Sequence, residues 1–166
     1  MQTFLPLPPT KLDEPIYVLG NTYIEWSYSN TFKLLDYRRL GKQRVETMQI
    51  YDAMVDGGVS RWRHHPIAKM WKPYPIALLT YGLQCSQEWR SRGYVDNMTN
   101  EFMKRIEQAE WDYRLPIDDP IHDMPWWMGE EEFHQSHRSN LLRKLPEHYR
   151  QFWENEPDDL PYVWYA

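Results

Sequence analysis

Apolar and polar positions along this chain follow the helical period far more often than the strand period. Leu34, Leu35, Val45, Met48 and Ile50 supply apolar contacts in one amphipathic stretch, with Ser29 or Asn30 as its N-cap. The pattern predicts a helix over roughly Thr31–Met54, ended by Gly57-Gly58. Pro66 suits the first position of a short helix through about Trp71, and Lys72-Pro73-Tyr74-Pro75 breaks it. Pro75 then opens a helix to about Arg92, with Ile76, Leu79, Leu83 and Trp89 facing inward and Gly93 at its C-terminal end. Asn97–Trp111 repeats the pattern with Phe102, Ile106 and Ala109 inside. Leu115–Gly129 is a Pro- and Asp-rich connection. Glu130–Lys144 reads as a helix whose first-turn acids and terminal Arg143-Lys144 match the helix dipole, and Pro146 starts a short segment with Tyr149, Phe152 and Trp153.

The two ends break the pattern. Pro6, Pro8, Pro9 and Pro15 keep residues 1–20 out of a long helix. The Gly20-Asn21 turn signal allows a small hairpin between Ile16–Leu19 and Thr22–Ser27. Residues 154–166 are acidic, then aromatic. Without an internal repeat, low-complexity tract or linker, the expectation is a compact, mainly α single domain over residues 1–166. Residues 1–29 form its Pro-rich lead-in and 154–166 its tail.

Charge changes the picture because it is unevenly spread. The net charge is −5, unpromising for a nucleic-acid binder. Residues 30–105, however, carry 13 Lys+Arg against 7 Asp+Glu, whereas residues 106–166 carry 5 against 14. A basic middle can still present a basic face, with non-specific DNA affinity that is weak and salt-dependent. The one cysteine, Cys85, excludes an internal disulfide and a multi-cysteine zinc site, and fits a reducing compartment. No apolar run is long enough to span a bilayer and no signal-peptide pattern opens the chain, so the expected location is cytoplasmic. Core and helix packing accounts for most of the nine Trp and twelve Tyr, and their number leaves several free to stack on bases or line a pocket. Trp62, Trp71, Trp126 and Trp127 are candidates to stack on bases.

Candidate chemistry concentrates in three places. On the predicted helix, Arg39, Lys42, Gln43 and Glu46 recur at i, i+3, i+4 and i+7 and share one face, with Arg38 and Arg44 close by. A carboxylate among cations suits chemistry on a polyanion: cations neutralise phosphates while the acid acts on sugar or base. A solvated helix face laced with ion pairs gives the same spacing. The second group is His64-His65-Pro66 with His134 and His137, which lie at i,i+3. That pair could hold a metal with a third ligand, but no carboxylate stands at a familiar spacing, and bridging helices or binding phosphate is the commoner role. Arg138 and Lys144 extend this polar surface. The third is the Met1 α-amine, nucleophilic in its neutral fraction near pH 7, although every chain has an amino terminus.

Several segments together resemble a known group. They are Met1-Gln2-Thr3-Phe4-Leu5-Pro6, Leu35-Asp36 with Arg39-Leu40-Gly41-Lys42-Gln43-Arg44-Val45-Glu46, His65-Pro66 with Met70-Trp71, Glu88-Trp89 with Arg92-Gly93-Tyr94, Phe133–Lys144 and Glu156–Tyr162. In these, most of the chain resembles a bacterial and phage group related to the pyrimidine-dimer DNA glycosylases. The resemblance implies a compact helical fold. It implies a bifunctional mechanism in which the N-terminal amine attacks the sugar C1′, a Schiff base forms and a glutamate assists strand cleavage on kinked, base-flipped DNA. By position, Glu46 corresponds to the catalytic glutamate, with Arg39 and Arg44 as the flanking arginines. Two departures stand out. Gln2 is too large for the usual removal of Met1, so either the Met1 amine or water would be the nucleophile. The Pro-rich stretch of about Leu7–Tyr28 is an insertion that could reshape substrate entry.

The expectation is a monomeric DNA N-glycosylase, with or without AP-lyase activity, that flips and excises a damaged or modified pyrimidine from double-stranded DNA without metal or cofactor. Glu46, Met1 and Arg44 would carry the chemistry, and Arg39, Lys42, Gln43, His65, His134, His137, Arg138 and Lys144 would contact DNA. A transferase acting on hypermodified DNA bases and a non-catalytic DNA- or protein-binding module are the alternatives.

Overall fold

The computed structural model describes residues 2–19, 22–55, 60–113 and 124–165. The fold is mainly α with one small hairpin, as the periodicity predicts. Strands β1 (Thr10–Leu19) and β2 (Thr22–Ser27) pair antiparallel, Lys11 opposite Trp26 and Ile16 opposite Ile24. β2 has its predicted bounds, whereas β1 starts six residues earlier than Ile16. Its register slips between Lys11 and Ile16, the interval that holds Pro15, which has no N–H to give to the ladder.

The long helix predicted over Thr31–Met54 is two helices, α1 (Ser29–Leu34) and α2 (Tyr37–Val55). Leu35 is extended between them, with φ −66° and ψ 132°. Asp36 then caps α2: its Oδ1 accepts the backbone N–H groups of Arg38 at 3.0 Å and Arg39 at 3.2 Å. The Tyr149 hydroxyl donates to Asp36 Oδ2 at 2.6 Å. Burial pushes the Asp36 pKa up, but these hydrogen bonds and the Arg39 charge outweigh it and hold the carboxyl below its usual range. Neither Ser29 nor Asn30 caps α1; Tyr28 occupies that position without a side-chain bond. Gly57-Gly58 lies outside the described residues, and α2 ends at Val55.

The remaining helices lie close to their predicted places: α3 (Pro66–Trp71), α4 (Pro75–Ser91), α5 (Thr99–Tyr113), α6 (Glu131–Lys144) and α7 (Pro146–Tyr149). Short 3-10 turns at Arg61–His64 and Trp126–Gly129 precede α3 and α6, and the predicted connection before Met124 lies outside the described residues. Gly93, just past α4, takes φ +84°, the left-handed conformation that ends helices. No described helix is long and apolar enough to cross a membrane.

Helix α4 forms the centre of the core and packs on α1, α2 and α5. Ile76, Leu79, Leu83, Phe102, Ile106 and Ala109 are buried as predicted, while Trp89 is half-buried and Val45 is exposed. Trp71 and Trp127 are fully buried and meet edge to face at 5.1 Å, so of the four tryptophans offered as base-stacking groups these two are core residues; Trp62 and Trp126 are exposed.

Two glycines permit close aromatic approach. A Cβ on Gly41 would lie 2.9 Å from the Trp89 ring, and one on Gly82 would lie 2.3 Å from the ring of the wholly buried Phe102. The α4–α5 contact therefore requires Gly82. Gly82→Ala should lower stability by about 1–3 kcal/mol through overpacking, despite alanine's better helix propensity. Urea denaturation checks this; a stability equal to wild type would mean that Phe102 has room to move.

Candidate functional site

Residues 2–6 are buried, although they belong to no sheet. Their backbone groups are satisfied by side chains instead. Phe4 N–H donates to Gln43 Oε1 at 2.8 Å, and Phe4 O accepts from the Tyr81 hydroxyl at 2.9 Å. Leu5 N–H donates to His137 Nδ1 at 2.8 Å, and Leu5 O lies 2.7 Å from His134 Nδ1. Arg138 Nη1 donates to Pro6 O at 3.1 Å, and Trp71 Nε1 donates to Thr3 Oγ1 at 3.0 Å. Each net hydrogen bond contributes about 1 kcal/mol, and each buried group left unpaired costs more. The segment is thereby fixed in register against α2, α3, α4 and α6.

The clamp ends at a carboxylate. Gln2 N–H donates to Glu46 Oε2 at 3.3 Å. Gln43, whose Oε1 also lies 2.8 Å from the Tyr81 hydroxyl, which shares its one proton with Phe4 O, extends its Nε2 to Glu46 Oε2 at 3.5 Å. Lys42 Nζ stands 3.7 Å from Glu46 Oε1. The Glu46 side chain is 15% exposed, reachable from solvent while held by neighbours.

Glu46 opens into a cleft of about 510 Å³ lined by Gln2, Phe4, Arg38, Arg39, Lys42, Glu46, Lys144 and Tyr162. Four cations face one carboxylate there. Arg39 is steadied by Asp36 at 3.4 Å and by the Lys144 carbonyl at 3.3 Å. Lys144 registers the surplus: its pKa is lowered, first by desolvation and then by the positive charges of Arg39, Arg143 and Lys42, which Glu46 opposes. A positively charged hollow with one acid suits an anionic ligand whose reacting centre lies beside the acid. Tyr162, from the irregular tail, closes one wall and meets the His137 ring at 5.5 Å.

Of the residues singled out in the sequence, Glu46, Arg39, Lys42 and Lys144 meet in this cleft. Met1 lies outside the described residues. Gln43 is wholly buried and holds the clamp rather than a ligand. Arg44 is a correction: it turns away from Glu46, pairs with Asp96 at 2.7 Å and lies over the Trp89 ring at 4.3 Å. The expected DNA contacts of His134, His137 and Arg138 are corrected likewise, because all three are buried. His134 lies between the carbonyls of Leu5 and Met128, and Arg138 is bound by Glu131, by Glu156 at 2.9 Å and by Pro6 O. The histidine pair's ring nitrogens thus face protein groups, and among the described residues no cluster of three metal-ligating side chains occurs. His65 caps α3, accepting Ile67 N–H at 3.2 Å, between the rings of Trp62 and Trp164 and off the cleft.

Gln2, Phe4, Arg38 and Tyr162 line the cleft and were not among the site residues read from the sequence. Arg38 lies within the basic block that drew notice. Nothing in periodicity could bring an irregular tail residue against α2.

A family model described as pyrimidine dimer DNA glycosylase matches residues 22–102. The match covers just under half of the chain and spans α2, and with it Arg38, Arg39, Lys42 and Glu46. Gln2, Phe4, Lys144 and Tyr162 fall outside the matched span. No curated protein and no solved structure matches the chain.

Burial, and secondarily the charge of His134, pushes the His137 pKa from 6.5 down to about 3. The folded state therefore resists a proton that the unfolded chain accepts near pH 6.5. Stability from this group is complete above that value and is lost as pH falls toward 3. By linkage the loss should reach about 2 kcal/mol between pH 8 and pH 5. Urea midpoints in that interval should fall in the wild type and much less in His137→Gln; parallel curves would remove His137 as the cause.

Proposed function

From the premise that this chain is a relative of the pyrimidine dimer DNA glycosylases, we propose that it excises a damaged or modified pyrimidine from double-stranded DNA, with Glu46 at the reaction centre. The observation that carries this reading is the 3.3 Å contact from the residue-2 backbone N–H to Glu46 at the floor of a cationic cleft. Met1 is one peptide bond away from that contact. Its α-amine is the proposed nucleophile: it attacks C1′, the C1′–N bond breaks with its electron pair leaving on the base, the amine loses a proton, and the C1′–O4′ bond then opens, its electron pair going to O4′, which is protonated, to leave a Schiff base. Glu46 takes that proton and offsets the positive charge that grows on the sugar. Arg38, Arg39, Lys42 and Lys144 hold phosphates on either side. A base inside the duplex is out of reach, so the target nucleotide swings out into the cleft. The Schiff base also makes the adjoining strand prone to elimination, the AP-lyase step.

The structure favours this over a non-catalytic module. Cations buried against acids of the same chain, with no cleft near Glu46, would have favoured that module. Arg44, Arg138 and Arg150 are neutralised in that way, but the cleft cations outnumber their acid. Transfer of a group to a hypermodified base would use the same hollow, and no observation favours it. In this reading Gln43 positions the clamp and Arg44 serves the α2 packing.

Duplex DNAs carrying ultraviolet photoproducts, oxidised bases or phage-type modified pyrimidines test the reading directly. One class should lose its base, and borohydride should trap a covalent complex on the amino-terminal peptide. Base loss without trapping, with breaks only after alkali, would assign the attack to water. No base loss from any pyrimidine substrate would remove the glycosylase reading.

A further inference from the structure

Gln2 lies where the clamp meets the cleft. It is 6% exposed, and it lines the hollow beside Glu46. One end of its carboxamide lies 3.3 Å from His137 Nε2, and the other is buried with no hydrogen-bond partner among the described residues.

Which end is unpaired follows from the histidine tautomer. Leu5 N–H donates to His137 Nδ1 at 2.8 Å, so Nδ1 carries no proton. A neutral imidazole then carries its proton on Nε2, and that nitrogen is a donor. Only the carboxamide oxygen of Gln2 can accept it. Amide oxygen and nitrogen are told apart by such networks, so Oε1 belongs toward His137 and the NH2 group is the end without a partner. The aromatic surround of Phe133 and Tyr162, with ring centroids 4.3 and 5.5 Å from His137, favours the neutral ring.

A buried donor left unpaired in the protein is satisfied when a ligand supplies an acceptor. The cations of the cleft, Arg38, Arg39, Lys42 and Lys144, suit phosphate oxygens; a neutral amide on the Glu46 side suits a neutral carbonyl. We propose that Gln2 is a substrate-contacting residue whose NH2 donates to the O2 carbonyl of the pyrimidine being released. O2 is bonded to the carbon next to the glycosidic nitrogen. As the C1′–N1 bond breaks, its electron pair delocalises onto O2, and a donor placed there stabilises the departing base, which later takes a proton from water. The inference rests on the glycosylase reading of the cleft.

Nitrogen NMR on the full chain tests it in two steps. His137 should show a bare Nδ1 and a protonated Nε2 at neutral pH; the reverse tautomer would overturn the assignment. Thymidine 5′-monophosphate should then move the Gln2 NH2 protons downfield, and 2-deoxyribose 5-phosphate, which has no base, should not. A shift with both probes, or Arg39 and Lys144 responding to the nucleotide while Gln2 does not, would refute the Gln2 contact and leave the glycosylase reading standing. No response anywhere in the cleft to either probe would refute both. Gln2→Met, similar in length and without a donor, should bind duplex DNA as the wild type does and release the base at least about 10-fold more slowly. Release at the wild-type rate would count against the contact.

Discussion

A buried irregular segment without a sheet to join is the constraint on which the rest of this structure depends. Residues 2–6 bring peptide groups into the core, where no neighbouring strand is available to pair them. The chain meets that demand with side chains from four helices: Gln43 from α2, Trp71 from α3, Tyr81 from α4, and His134, His137 and Arg138 from α6. An unmet buried amide costs more than a hydrogen bond contributes, so each of these polar groups must be present and correctly turned. The same requirement explains two buried histidines and a buried arginine in a small mainly α protein. It also fixes Gln2 beside Glu46.

Function would follow from how that clamp meets the surface. Asp36 starts α2 after a break, and the helix then presents Arg38, Arg39, Lys42 and Glu46 to the cleft while Gln43 and Arg44 turn inward. Lys144 at the end of α6 and Tyr162 from the tail complete the walls. The cations exceed the acid, which sets a potential suited to a polyanion. Of the acidic C-terminal part, Glu131, Glu156 and Asp158 are engaged with Arg138 and Arg150 and not with the cleft cations.

Much of this was legible in the sequence, for physical reasons that differ between elements. Pro66 and Pro75 mark helix starts by removing an N–H that a helix's first turn leaves unbonded, and α3 and α4 begin there. Periodicity located the inward faces of α4 and α5. It failed at Leu35-Asp36, where the apolar period runs on across the break and only the capping chemistry of Asp36 marks it. Basic residues singled out for the site divided in the same way. Lys42 and Lys144 lack a strong internal partner, whereas Arg44 and Arg138 have carboxylates waiting on distant segments, Asp96 and Glu156, that spacing cannot reveal. The histidines looked like surface or ligand groups because nothing local shows that a distant amino-terminal segment will bury them.

The central claim is that Glu46, held beside the clamped Gln2, performs the chemistry rather than the binding. Single-turnover base release by Glu46→Gln, measured alongside its affinity for the same duplex, tests it most directly. The expected result is a rate lower by at least about 100-fold with affinity close to that of the wild type. Release at the wild-type rate, or a loss of binding that accounts for the whole defect, would contradict it.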